Sequence, residues 1–140
     1  MPLNKVRWRL AVVAFLVAEA SLIAAAYAWV AIYSYFIHPG RPISVYEQYA
    51  QTSSPYVALV LGIPVFFFAC RWIAFRAPSA AVATALAVFG FACLVEIAVT
   101  LAADNPYVSP WLQAVNIPVK LLGCLLGARA VQKPLHKQAA

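Results

Sequence analysis

The sequence predicts an all-α fold, an integral membrane four-helix bundle with both termini cytoplasmic. Three observations carry this. First, of 140 residues 65% are hydrophobic and 10% charged, where a soluble domain carries about a quarter charged residues. A water-soluble domain of this length cannot bury so much apolar surface. Second, four apolar runs, 10–37, 55–75, 80–102 and 110–131, reach the roughly 20 residues that a helix needs to cross a bilayer. Third, the lysines and arginines flank these runs on alternate connections.

The first run is long, about 42 Å at 1.5 Å per residue, so a helix of that length tilts or projects beyond the hydrocarbon. Its basic start and the small residues Ala26 and Ala28 mimic a signal peptide. Glu19 interrupts the apolar core, however, and the run continues to Ile37. An uncleaved first span is therefore expected.

The outer loop, 38–54, is the longest connection. His38-Pro39-Gly40-Arg41-Pro42 reads as a turn or extended segment. The following "ISVYEQYAQ" is compatible with a short helix on the membrane surface, with Tyr46 and Tyr49 three apart, but a plain solvated connector is the better reading of this loop.

The second and fourth runs resemble one another. "SPYVALVLGIPVFFFAC" (54–70) and "SPWLQAVNIPVKLLGC" (109–124) share Ser-Pro-aromatic, Ile-Pro-Val and a cysteine six residues after the proline. Ser-Pro suits a helix start, where the missing N–H costs nothing, and Pro64 and Pro118 are expected to kink their helices. Each preceding run holds one glutamate, Glu19 or Glu96. Two similar helical hairpins and a chance likeness account equally well for this pattern. The short second and third connections predict antiparallel neighbours.

The positive-inside rule sets the orientation. Lys5, Arg7 and Arg9 precede the first run, Arg71 and Arg76 lie at the second connection, and Arg129, Lys133 and Lys137 follow the fourth. With four spans these share one side, which carries no acid. The other side has Arg41, Glu47 and Asp104. Trp29, Tyr33, Tyr35, Tyr46, Tyr49, Tyr56, Tyr107 and Trp111 mark the outer boundary, and Trp8, Trp72 and Phe75 the inner one. The expected location is the plasma (inner) membrane.

The fourth run raises the functional question, because Asn116, Pro118 and Lys120 sit inside it. Ionisable groups at membrane depth are costly and face the bundle interior, paired or wet. Asn116 and Lys120 are four apart and share a helix face with Gln113, Gly123 and Gly127. The Gly123–Gly127 spacing permits close helix approach. Glu96, Thr100 and Asp104 form a matching stripe on the third run.

Depth can be counted along the helices. Glu96 lies about 10 Å below the outer end of its helix and Asn116 about 9 Å below the start of its own. Lys120, about 15 Å deep, and Glu19, about 14 Å from the inner end, are both near the midplane. A Glu19–Lys120 pair is expected, with Glu96 beside Asn116 and within reach of Lys120. One lysine against two glutamates leaves the cluster net negative or holding a proton. Pro118 frees the carbonyl of Ala114, expected beside this stripe.

Glu19, Glu96, Asn116 and Lys120 are thus the candidate ligand-binding residues, for a small polar or cationic solute that is bound or transported. A purely structural clamp is an equal reading of the same residues. The single glutamate in "LVAEAS" (16–21) resembles that of the small multidrug transporters. The long outer loop, the further membrane charges and the two proline-bearing spans depart from that family, so nothing beyond this residue is carried over.

The alternative function is a non-catalytic accessory or assembly subunit of a larger membrane complex. Ala11, Ala14, Ala18 and Ala25 would give a small-residue contact face, and the aromatic outer loop a docking surface. An enzyme is less well supported, because no nucleophile–base arrangement is present. No cofactor or metal is expected. Cys70, Cys93 and Cys124 lie in apolar runs without a C-x-x-C, and His38 and His136 belong to opposite faces. The net charge of +6 is distributed along helix flanks rather than gathered in a nucleic-acid patch. The expected partners are the lipid bilayer, further copies in a homo-oligomer or a larger complex, and no nucleic acid.

Overall fold

The fold was analysed in a computed structural model, which describes residues 6–102 and 110–131. Four helices account for them: α1 (Trp8–Ile32), α2 (Ile43–Arg76), α3 (Ala81–Ala102) and α4 (Pro110–Ala130). Among the described residues there is no strand. Among the described residues three segments are long and apolar enough to cross a membrane: Trp8–Ile37, Ile43–Arg76 and Pro78–Leu101. α4, the fourth expected span, is not among them. Lys5, Asp104, Tyr107, Ser109, Lys133, His136 and Lys137, invoked above, lie outside the described residues, as does the Gln113 side chain.

α1 continues through a π-helical turn, Tyr33–Ile37, so the first apolar run is helical to its end. Gly40, at φ 76°, supplies the left-handed residue that reverses the chain. Tyr46 Oη donates to the His38 carbonyl at 2.7 Å and accepts from the Arg41 N–H at 3.0 Å, which closes this turn.

The outer loop is shorter than the sequence predicts. α2 begins at Ile43, not at Pro55, and runs for 34 residues. The segment read as a solvated connector or a short surface helix is the first part of α2, and Pro55 lies inside it. No glycine or proline interrupts 43–54, and a single proline removes only one backbone bond. Contacts with α1 then hold this extension in place. Tyr49 stacks on Tyr33 at 3.6 Å between centroids and accepts from Trp29 Nε1 at 2.9 Å.

A single-turn 3-10 segment, Pro78–Ala80, joins α2 to α3. At this end the Arg7 N–H donates to Thr84 Oγ1 at 3.2 Å, so α1 and α3 start side by side and run parallel. α2 contacts α1 and α4, and α3 also contacts α1 and α4; α1 and α4 therefore stand on a diagonal. Antiparallel neighbours are only part of the arrangement, because α2 and α4 are parallel and form the most extensive interface.

Glycine spacing explains that interface. Gly123 and Gly127 of α4 lie directly on the α2 backbone. A Cβ at Gly123 would come within 2.7 Å of the Ile63 carbonyl oxygen, and one at Gly127 would collide with that of Phe67. The two Ile-Pro-Val motifs thus lie on the two helices that approach most closely.

The buried stripes are narrow. On α1 they are Ala11, Ala14, Ala18 and Leu22, and on α3 Ala81, Ala85, Val88 and Ala92. On α4 Leu112, Asn116, Lys120, Cys124 and Ala128 recur every fourth residue. The alanines proposed as an external contact face are therefore used inside the chain at 11, 14 and 18. Large apolar side chains, including Leu16, Val17, Phe68 and Leu94, point outward.

Replacing Gly127 by alanine is expected to lower stability by about 2 kcal/mol, the scale of an overpacked core. The backbone atoms it meets cannot rotate away. Thermal unfolding of the detergent-solubilised variant measures this; an unchanged midpoint would refute the close α2–α4 approach.

Candidate functional site

The site forms where three buried stripes reach the same depth. Glu19 follows Ala18 on α1, Glu96 lies one turn beyond Ala92 on α3, and Asn116 and Lys120 belong to the inward face of α4. Lys120 Nζ is 3.2 Å from Glu19 Oε1 and 3.0 Å from Glu96 Oε2. Asn116 Nδ2 donates to Glu96 Oε1 at 2.7 Å. The four residues singled out in the sequence are therefore in direct contact.

Burial makes these contacts consequential. Lys120 is 5% exposed and Asn116 7%. The glutamates are less enclosed, with side chains 20% exposed for Glu19 and 15% for Glu96. From α2, the face of Phe66 lies 5.6 Å from the ammonium, close enough for a cation–π contribution.

Hydrogen bonding is incomplete. Glu96 Oε2 is within ion-pair distance of Lys120, but the two are not aligned for a hydrogen bond. We take this as an ion pair held by charge rather than direction, since Coulomb attraction depends on distance. Asn116 Oδ1 has no hydrogen-bond partner among the described residues. Thr100, expected to extend the Glu96 stripe, donates to its own helix at the Glu96 carbonyl, 2.7 Å.

Pro118 does not contribute as expected. Ala114 and Pro118 are exposed, while Asn116 between them is buried. Two residues turn a helix by about 200°, so the proline and the carbonyl it frees lie on the face away from the cluster.

Two clefts reach the charged groups. One, of 520 Å³, lies between α1 and α2 and is lined in part by Glu19, Leu22, Tyr27, Glu47, Gln51 and Lys120. The other, of 340 Å³, lies between α2, α3 and α4, with Ser54, Glu96, Thr100, Asn116 and Lys120 in its wall. Glu19, Gln51, Ser54, Ala58 and Lys120 line both. A third groove of 710 Å³ on the α1–α2 surface contains no charged residue.

The contribution of α2 was missed in the sequence. Glu47, Gln51, Ser54 and Ala58 recur at helical spacing and line the first cleft. The signal was present, but taking Ser54-Pro55 as a helix start cut the pattern in two. His38 lies in the outer turn and touches the Tyr33 ring, away from the cluster. Among the described residues no group of three or more His, Cys, Asp or Glu is arranged to hold a metal.

No family model matches this chain, and no curated protein or solved structure shows significant similarity to it.

Asn116→Leu removes the donor to a partly buried carboxylate and is expected to cost about 2 kcal/mol. Arg41→Ala should leave stability unchanged, because Arg41 is exposed and its hydrogen bond uses the backbone N–H. Parallel thermal melts check both; equal behaviour of the two variants would contradict the site's energetic role.

Proposed function

We propose that this chain is an integral protein of the plasma (inner) membrane that crosses it four times with both termini cytoplasmic. It binds or transports a small polar or cationic solute through Glu19, Glu96, Asn116 and Lys120. The observation that carries this reading is that Glu19 and Lys120 line both clefts. A group bound at this pair is reachable from two sides. Two carboxylates facing one ammonium leave an excess of negative charge, or a held proton, and an incoming cation compensates it.

The placement of charge supports the orientation. The described arginines of the inner end, Arg7, Arg9, Arg71, Arg76 and Arg129, stand opposite Glu47 and Arg41 in the helix order. The outward apolar side chains suit acyl chains. A four-helix chain is small for a conduit, so a homo-oligomer is part of the proposal. Reporter fusions to the two termini test the orientation, with both expected on the cytoplasmic side; a periplasmic signal from either would reverse it.

The second reading, a non-catalytic accessory subunit, is favoured by one observation. The outer half of α3 is bare on most sides: Leu94, Val95, Ile97, Val99 and Leu101 are all exposed, Leu101 to 83%. Another protein chain would fit there as well as lipid.

Native mass spectrometry of the gently solubilised protein separates the two. The first reading expects a homo-oligomer with a reproducible small adduct that is lost in Glu96→Gln. A stoichiometric foreign subunit without an adduct would replace it with the second.

A further inference from the structure

We propose that the solute is an elongated aliphatic diammonium or polyammonium ion, with one ammonium at Glu19 and another at Glu47. This deepens the cation-site reading and rests on it, adding a second anionic contact and a shape.

The cleft between α1 and α2 has a carboxylate at each end. Glu19 stands at the deep end with Lys120, and Glu47 on the exposed first part of α2. Eleven residues separate Glu47 from Ala58, the cleft residue of α2 deepest in the bundle, which amounts to about 16 Å of helix. Two long side chains shorten the gap between their charges. Between the ends the walls are mainly apolar, with Leu22, Ile23, Ala26 and Ala50, and Gln51 and Ser54 are the polar residues of the α2 side. An inorganic or compact organic cation satisfies one end only. An alkyl chain with an ammonium at each end matches both ends and the walls. The volume, 520 Å³, is within the range of about 300–1,000 Å³ usual for small-molecule sites.

Charge balance points the same way. Both ion pairs among the described residues belong to Lys120, so Glu47 has no cationic partner among them. At the deep end two carboxylates share one ammonium. Each end therefore has one carboxylate without an ammonium of its own among the described residues. If Lys120 stays with Glu96, a ligand ammonium at Glu19 neutralises the deep end, and a second at Glu47 neutralises the mouth.

An independent acceptor is present at the deep end. Asn116 is 7% exposed, lines the cleft on the other side of the same ion pair, and its Oδ1 accepts no hydrogen bond among the described residues. Each ammonium has three donors, and this oxygen leaves the cluster with one more acceptor than the described residues use. Lys120 itself, a primary ammonium on an alkyl stem against Glu19, already shows the contact that the ligand head would make.

The test uses the full chain in lipid nanodiscs and calorimetric binding of α,ω-diaminoalkanes from 1,4-diaminobutane to 1,12-diaminododecane. Each is compared with the monoamine of equal carbon number. The best diamine is expected to bind about tenfold more tightly than its monoamine, the effect of one added ion pair of moderate strength. Glu47→Gln should abolish that difference, so that the diamine binds no more tightly than its monoamine. Glu47 is exposed, so this variant is expected to fold. Glu19→Gln should weaken both amines.

Equal binding of monoamine and diamine, or an equal loss of both in Glu47→Gln, would overturn the diammonium assignment and leave the cation site standing. Failure of every amine to bind would overturn the cation site as well. A co-purifying lipid that no amine displaces would assign the cleft to an acyl chain and also refute the proposal.

Discussion

The structure depends on one constraint: the charge of Lys120 has to be compensated in the middle of an apolar bundle. Charged side chains withdrawn from water cost several kcal/mol unless they are paired. Here the compensation comes from two other helices, through Glu19 on α1 and Glu96 on α3. α1 and α4 stand on a diagonal of the bundle, so the Glu19–Lys120 contact ties together elements that otherwise share little surface. The rest of α4 follows from this demand. Its polar face must turn inward, and the close approach at Gly123 and Gly127 brings that face against α2. Small residues on α1 and α3, such as Ala18 and Ala92, leave room for the long side chains beside them.

A purely structural clamp would be better served by balanced charges. This cluster is unbalanced, with two carboxylates to one ammonium. It also has an unused acceptor at Asn116 Oδ1, and it stands between two clefts rather than in a closed core. Imbalance, a spare acceptor and access together favour a ligand that carries positive charge. The extension of α2 past the expected membrane boundary adds the outer wall of the larger cleft, and with it Glu47 and Gln51. Aromatic contacts of Tyr49 and Tyr46 hold that wall to α1 and to the turn. The outer loop therefore acts as part of the cleft.

Much of this was legible in the sequence. Burial of Asn116 and Lys120 follows from their four-residue spacing, and their partners follow from counting depth along Glu19 and Glu96. A helix fixes both face and height, so helical membrane segments give up such information readily. Two features were hidden. The start of α2 at Ile43 was obscured by Ser54-Pro55, because proline is favoured in a first turn and disfavoured in a helix interior, whereas here it lies inside the helix. The order of helices around the bundle, with α2 and α4 parallel and adjacent, depends on which small faces meet. Gly123 and Gly127 announced a close contact but could not name the partner. Pro118 was misjudged because its effect was placed by distance along the chain, whereas the face is set by rotation.

The most direct test of this account is a thermodynamic cycle on the three charges, read by reversible unfolding in one detergent. Lys120→Met alone leaves two partly buried carboxylates without their cation and is expected to cost on the order of 3 kcal/mol. Adding Glu19→Gln and Glu96→Gln to it should recover most of that loss, since no uncompensated charge remains. If the triple variant is instead as unstable as the sum of its three single substitutions, the charges act independently and the account fails at its centre.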